Sequence, residues 1–492
     1  MEPVFIRELD RYSKSDILKI LGNNSAIFNK LRKHSIIRID KDKNYYFRFV
    51  GVIAIEDFIF NFYPKYITTE DDEEKRKDFK DVIKIFRKIN KSDEEFSYEN
   101  DEEEDSSLNL LPLMLFFIED YYENGLYSNI QNVLEINGNG EINWDRTIND
   151  SFPLIKNNKP YYLEIHTRRK IDDLYNYFRL LHKVIITECS QHLEDGHLLY
   201  YFDLTPVKLT DRTLDDFGDN EYILHRLEKQ LNIEFNTQKQ KLLRLMHSYI
   251  SNRDSFANDD FFTFYGTPKY ETVWENICGE VLQNVFNKPL VDLKSEGFLK
   301  ELNLHELIID LNLEEQLKGT KLEEITLKHL IEKPNWVSTE GFSKEADTYI
   351  PDIITISNDN FIVLDAKYYD LTFTNEELKG QPGIESISKQ YFYDLSFRKF
   401  IKLVGFKGVR NAFLFPNYDS EIENSGYVEL EMFSNLGLEN IQIIMIPAKR
   451  IHQKYLTNDT MEISELCLDK YYCPKCGSFN KDGKYWVNCE NG

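Results

Sequence analysis

The spacing of apolar and polar positions divides the chain into segments of different period. Residues 13–22 and 24–34 carry apolar positions at helical spacing. Residues 35–39 and 45–55 alternate as strands around a turn at 40–44. Two helices followed by a β-ribbon fit a winged helix, or a small α+β module for protein contact, and the pattern does not choose between them. Another short helix is predicted at 79–90. Residues 108–123 open a middle region that is mostly helical. It has a strand at 159–166, a helix at 171–191 and a long helix at 221–252 bearing Ile223, Leu227, Leu231 and Ile233. From residue 261 the pattern changes. A helix over 272–286 gathers Val273, Trp274, Ile277, Val281 and Val285 near one side. Two short apolar strands, 350–356 and 361–366, are joined by Ser357-Asn358-Asp359-Asn360, four strong turn formers. A helix over 386–406 and strands at 411–416 and 441–446 complete an order α, β, β, α, β.

This succession predicts an α+β multidomain protein, and its 492 residues exceed what one hydrophobic core usually supports. The divisions read as a small α+β module (1–66), an acidic linker region (67–107), a mostly helical middle domain (108–260), a mixed domain (261–460) and a cysteine-containing tail (461–492). There is no internal repeat. Apolar residues at 41% and aromatics at 14% argue against a disordered chain. The formal net charge of −24 argues against a polybasic nucleic-acid binder but leaves room for a local basic groove. Nine of the carboxylates crowd into residues 93–105, where no basic residue accompanies them, so that run reads as a solvated loop. The N-terminus has no apolar signal core, and the most membrane-like stretch, 106–118, is far short of the ~20 residues that span a bilayer. A cytoplasmic protein with no membrane partner is expected.

The chemistry concentrates at Pro351-Asp352 and, after twelve intervening residues, Asp365-Ala366-Lys367. Side chains alternate along a strand, so Asp365 and Lys367 point the same way. A tight hairpin brings Asp352 beside them. Two carboxylates and the Ala366 carbonyl suit a hard cation such as Mg²⁺, which polarises a phosphate and acidifies a bound water. Lys367 would orient or deprotonate that water, or stabilise charge on the phosphate. The competing reading is a surface hairpin with an ordinary ion pair. The apolar strand before the triplet and the Pro-Asp at hairpin distance favour phosphodiester hydrolysis. After the strand, residues 389–410 carry Lys389, Arg398, Lys399, Lys402, Lys407 and Arg410 against Asp394 alone, interleaved with Tyr391, Phe392, Tyr393, Phe397 and Phe400. A duplex backbone could pass there, with Lys389, Tyr393, Arg398, Lys399 and Lys402 as DNA contacts, while the aromatics fit a core better than base stacking. His166-Thr167-Arg168-Arg169-Lys170 is a second basic cluster.

The Asp352, Asp365 and Lys367 pattern resembles the PD-(D/E)xK nuclease superfamily, whose core is αβββαβ. The resemblance implies a glutamate on the preceding helix, for which Glu275 is the match and Glu271 the runner-up, and a polar residue on the following helix, where Gln390 falls. Within the superfamily, residues 140–148 (Gly-Glu-Ile-Asn-Trp-Asp-Arg-Thr-Ile) and Val273-Trp274-Glu275 are similar to the LlaJI-type restriction endonucleases and McrC-like nuclease subunits. What this implies is a Mg²⁺-dependent endonuclease subunit of a bacterial restriction system, acting on double-stranded DNA. It also implies an McrB-like AAA+ GTPase partner, docked by the N-terminal half. The chain has no Walker-type phosphate loop, so nucleotide hydrolysis would belong to that partner. A nuclease-fold scaffold that binds DNA and activates the GTPase without cutting, and a standalone nuclease for RNA or branched DNA, are the alternatives. In the tail, Cys473-Pro474-Lys475-Cys476-Gly477 is half of a zinc ribbon, which Cys489 and Cys467 would complete, with His452 in reserve. Free thiols in a loose tail are the other reading. Cys189 and Cys278 are expected to be buried.

Overall fold

The computed structural model describes residues 3–55, 58–92, 110–252, 262–299, 303–314, 316–331, 333–345, 348–374 and 376–472. The acidic run at 93–105, and with it Cys473, Cys476 and Cys489, lies outside the described residues. The architecture is α+β with several small sheets, and the chain divides into two compact units.

One unit comprises residues 1–4, 52–61 and 95–265. Its longer helices are Leu110–Asn124, Tyr177–Asp195, Asn220–Ile233 and Thr237–Asn252. The stretch expected as one helix over 221–252 is therefore two. Glu234 leaves the helix in an extended conformation, and the Asn236 side chain accepts from the Lys239 amide to begin the next one. The region expected as helix from 171 starts later, because Asn176 caps it and residues His166–Asp172 form a strand. That strand lies antiparallel between Ile130–Ile136 and Glu141–Ile142, so the basic cluster at 166–170 is β. A hairpin, Pro153–Lys156 with Lys159–Tyr162, turns through Asn157 and Asn158, both at positive φ.

The second unit comprises residues 5–51, 62–94 and 266–492. It contains the helices Lys14–Ile20 and Ser25–Lys33, the ribbon Ile37–Ile39 with Tyr45–Phe47, and the helix Asp72–Ser92. That last helix begins a full two turns before the expected 79, since the charged residues 72–78 cover its first turns. Its mixed sheet has five strands: β1 (Ile353–Ser357), β2 (Asn360–Ala366), β3 (Gly408–Asn417), β4 (Glu423–Val428) and β5 (Ile441–Pro447), in spatial order β1-β2-β3-β5-β4. Helix α1 (Tyr270–Val281) precedes it, α2 (Ile384–Val404) connects β2 to the parallel β3, and α3 (Ala448–Thr457) follows β5. Two strands of this sheet precede α2. The further hairpin between them and α2, Thr372–Phe373 with Leu378–Lys379, forms a separate two-stranded sheet. Every residue of β2 is buried, which is why it reads as a continuous apolar run. On one side, Phe361 and Val363 pack against Tyr393, Phe397 and Phe400 of α2. The aromatics of the basic helix are thus core.

Candidate functional site

The β1–β2 hairpin does the assembling. Asn358 and Asp359 adopt φ of +52° and +63°, the left-handed pair of a two-residue hairpin loop, and Ser357 pairs with Asn360. Register then runs without a bulge to Ile353 opposite Leu364, which leaves Asp352 beside the end of β2. Oδ2 of Asp352 accepts from the Ala366 amide at 3.2 Å. Asn284, which spacing alone did not mark, holds the start of β1: its Nδ2 donates to the Asp352 carbonyl at 2.8 Å and its Oδ1 accepts from Ile354 N at 3.1 Å. Asp365 is 2% exposed, and its Oδ1 stands 2.8 Å from Lys367 Nζ. Oδ1 is thus a buried acceptor whose charge is met by the Lys367 ammonium. The Lys367 amide continues the parallel ladder to Leu414 O at 2.9 Å.

The electrostatics follow from two carboxylates sharing a buried corner. Burial, then the hydrogen bond and charge of Asp365, push the Asp352 carboxyl up to about 9. Lys367 is pulled down by burial, but Asp365 more than reverses this, with Asp352 and Glu275 adding to it, so the ammonium is held above its ordinary value. On α1, half-buried Glu275 is raised by burial, and the charges it feels most are Lys367 and then Asp365. Glu271 is instead engaged by Arg48 at 2.7 Å. A groove of about 650 Å³ opens beside the carboxylates, lined by Glu275, Asn276, Gln283, Lys328, Ile350 and Asp352 among others.

The other expected residues have the following surroundings. Gln390 is fully buried under the sheet, its Nε2 2.7 Å from Asn411 Oδ1 and 3.3 Å from Val363 O. It ties α2 to β2 and β3 through these contacts. Tyr393 is 8% exposed, part of the core, and burial followed by the charges of Asp365 and Asp352 raises its hydroxyl. Of the cations, Lys389 pairs with Glu385 at 2.8 Å, Lys407 with Asp359 at 3.0 Å, and Arg410 is buried against Asp469 at 2.7 Å. Arg398, Lys399 and Lys402 are exposed. At 1.5 Å per residue, Lys402 lies about 20 Å along the helix from Lys389, so the cluster is spread along the helix. Cys467 is exposed, whereas His452 is buried, bonded through Nε2 to the hydroxyls of Tyr66 and Tyr270, and is withdrawn from any thiolate set. Cys189 and Cys278 are buried free thiols, as expected. Among the described residues, no helix is long and apolar enough to cross a membrane.

The sequence pattern of the family described as LlaJI restriction endonuclease matches residues 49–316 and 320–449. The chain belongs to the LlaJI restriction endonuclease family. It is therefore a restriction nuclease, concerned with defence. It is also similar to the type II restriction enzyme BsuMI component YdjA of Bacillus subtilis (strain 168), 28% identical over 477 residues, which is 94% of this chain and 91% of the relative. Among solved structures, a half-complex of Thermococcus gammatolerans McrB AAA+ hexamers with bound McrC matches over 93% of this chain and 99% of that one, at 12% identity and a TM-score of 0.35.

Proposed function

We propose that this member of the family is a Mg²⁺-dependent endonuclease subunit with the PD-(D/E)xK arrangement, cutting double-stranded DNA at Asp352, Asp365 and Lys367 with Glu275 alongside. The observation that carries the reading is buried Asp365 with Lys367 2.8 Å away and half-buried Asp352 set beside them at the end of the paired strands. Carboxylates gathered at one strand end favour a bound cation. The donor set is all hard oxygen: the carboxylates of Asp352 and Asp365 and the Ala366 carbonyl. Among the described residues, no three His, Cys, Asp or Glu side chains converge as a metal cage. Mg²⁺ suits such a sparse set, because it binds through one or two carboxylates and keeps several waters.

When bound, the ion would polarise the scissile phosphate and lower the pKa of an attacking water. Asp352 and Asp365 would hold it at the end of two paired strands, which limits their freedom to move. Lys367, kept charged by its carboxylate neighbours, places a cation where negative charge grows on the phosphate and orients the water. With Lys367 held charged, Glu275 would be the group that accepts that water's proton. Arg398, Lys399 and Lys402 are exposed for phosphate contacts, and Lys389 lies on the same helix. A partner of the AAA+ GTPase class is part of the proposal, supported by the family resemblance. The exposed apolar residues Phe152, Leu154, Ile155 and Leu163, on and around the 153–162 hairpin, offer a surface for it. In the complete restriction complex, Asp365→Ala and Lys367→Ala should remain folded and lose at least ~10³-fold in cleavage, the scale of removing a transition-state contact in a reacting centre. Undiminished metal-dependent cutting by either variant sinks the assignment.

A further inference from the structure

Beyond Lys367, the sheet no longer holds the chain. After the Lys367 amide bonds Leu414, the next residues leave the ladder, and Tyr369 N turns back to Lys367 O. Yet Tyr368 is among the most firmly held residues of this unit, and its partners come from the far N-terminal part of the chain. Its hydroxyl donates to Oε1 of Glu8, a residue 4% exposed just past the strand Val4–Arg7. Its carbonyl accepts from Lys65 Nζ at 2.9 Å, and the same ammonium stands 4.1 Å from the centre of its ring. The Lys65 amide lies 3.3 Å from both Glu8 Oε1 and the Tyr368 hydroxyl oxygen, sharing its hydrogen between them. Arg7 bonds the Lys65 carbonyl at 2.7 Å through Nε and reaches Asp370 at 3.4 Å.

The contact also reaches the other wall of the site. Tyr66, next to Lys65, has its hydroxyl 3.3 Å from that of Tyr270, and both meet His452 Nε2. Tyr270 opens α1, the helix that bears Glu275, and its ring is tilted against that of Tyr368 at 5.2 Å. Residues 8, 65 and 66 therefore connect the strand end carrying Lys367, through Tyr368, with the helix carrying Glu275, through Tyr270.

Packing alone does not call for such a group. A buried carboxylate costs free energy that an apolar side chain of the same volume would not, and burial pushes the Glu8 carboxyl up to about 7 against the opposing pull of Tyr368 and Lys65. What the polar arrangement adds is direction. It fixes the Tyr368 peptide, and with it the orientation of the preceding Lys367 and Ala366. We propose that Glu8, Lys65 and Tyr368 form a positioning clamp for the cleavage centre, so that the N-terminal segments around residues 8 and 65 are part of the catalytic unit. The inference rests on the reading of Asp352, Asp365 and Lys367 given above.

The test uses full-length chain in its complete restriction complex, with steady-state cleavage of duplex DNA in Mg²⁺. Tyr368→Phe removes one oxygen and keeps the ring. It should lower kcat by ~10–100-fold, as displacements near 1 Å do, and leave KM for DNA within ~3-fold. Glu8→Ala should behave alike. Glu8→Gln keeps an acceptor for the Tyr368 hydroxyl and should restore kcat to within ~3-fold of the parent. Asp365→Ala is measured beside them. If it is dead while Tyr368→Phe and Glu8→Ala cut at the parental rate, the clamp is refuted and the site reading stands. If Asp365→Ala itself cuts normally, the site reading fails. A kcat loss that only follows the unfolded fraction in a urea titration, or a Glu8→Gln variant no better than Glu8→Ala, also refutes the clamp, since a role confined to stability predicts both.

Discussion

Gln390 separates a strut from a reacting group. Its Nε2 makes its best contact, 2.7 Å, with Asn411 Oδ1, while its own Oε1 is buried with no hydrogen-bond partner. Gln390→Leu keeps the volume, so the cavity term is small. It strands Asn411 Oδ1 in a fully buried place, at a cost of about 1–3 kcal/mol. Removal of the unbonded Oε1 returns part of that. The other Asn411 bond, Nδ2 to the Gln390 carbonyl at 3.3 Å, survives because it is to the backbone. Asn411→Leu should cost a similar amount, because Gln390 Nε2 is left with contacts of 3.3 and 3.4 Å to Val363 O and Ala412 O. The double variant removes donor and acceptor together, so its cost should fall short of the sum by about 1 kcal/mol or more. Urea titrations with a common slope measure all three, and cleavage per folded molecule is measured on the same samples. Stability within about 0.5 kcal/mol of the parent with cleavage abolished in Gln390→Leu would make this residue part of the reaction and overturn the strut.

Two further predictions concern charge and surface. The Glu8 carboxyl is raised by burial, with Glu271 adding to this and Tyr368 and Lys65 opposing it, from 4.5 to about 7. The neutral form is therefore the one that folding favours: its contribution is complete below 4.5 and is lost as pH rises through 7. Stability of Glu8→Gln relative to the parent should then climb between pH 5 and pH 8, by on the order of 3 kcal/mol at most. A pH-independent difference in denaturation midpoints would contradict it. Phe152 is 97% exposed and Ile155 67%. Serine at both positions should change stability by less than about 0.5 kcal/mol. The same change should weaken cleavage that depends on the GTPase partner by ~10-fold or more, the scale of losing one or two anchoring contacts. Unchanged partner dependence would dismiss the hairpin as the docking surface.

Much of the hairpin was legible because its signals are local. Turn formers at 357–360, apolar runs on both sides and the alternation of strand side chains set Asp352 against the end of β2 without long-range information. Helix α2 and strands β3 and β5 were legible for the same reason. Misread elements had conflicting local signals. Residues 221–252 keep helical spacing through Ile233, and only the cap at Asn236 divides them. Residues 166–172 are charged, yet they pair on both edges in a sheet. Gln390 fell at a position where the resemblance implies a polar site residue, and only the fold shows that its amide turns toward Asn411. Glu8 and Asn284 could not be found by pattern. One contacts Tyr368 across 360 residues of sequence and the other contacts Asp352 across 68, and neither spacing carries a signal.

The charge of the chain bears on the proposed substrate. From its composition, the helix after β2 is the place where DNA would be gripped. Its fold reduces that grip: Lys389 on the helix pairs with Glu385, while Lys407 and Arg410 lie beyond its end and meet Asp359 and Asp469. The three exposed cations left, Arg398, Lys399 and Lys402, lie toward the far end of the helix. Affinity for duplex scales with the phosphates neutralised, and three contacts are few beside the six to ten of a strong binder. The site itself is acidic before a cation arrives. Under the proposed function, then, affinity and chemistry are separated. This chain holds a small, rigid cleavage centre braced by its own N-terminal segments, and a partner must hold the DNA long enough for that centre to act.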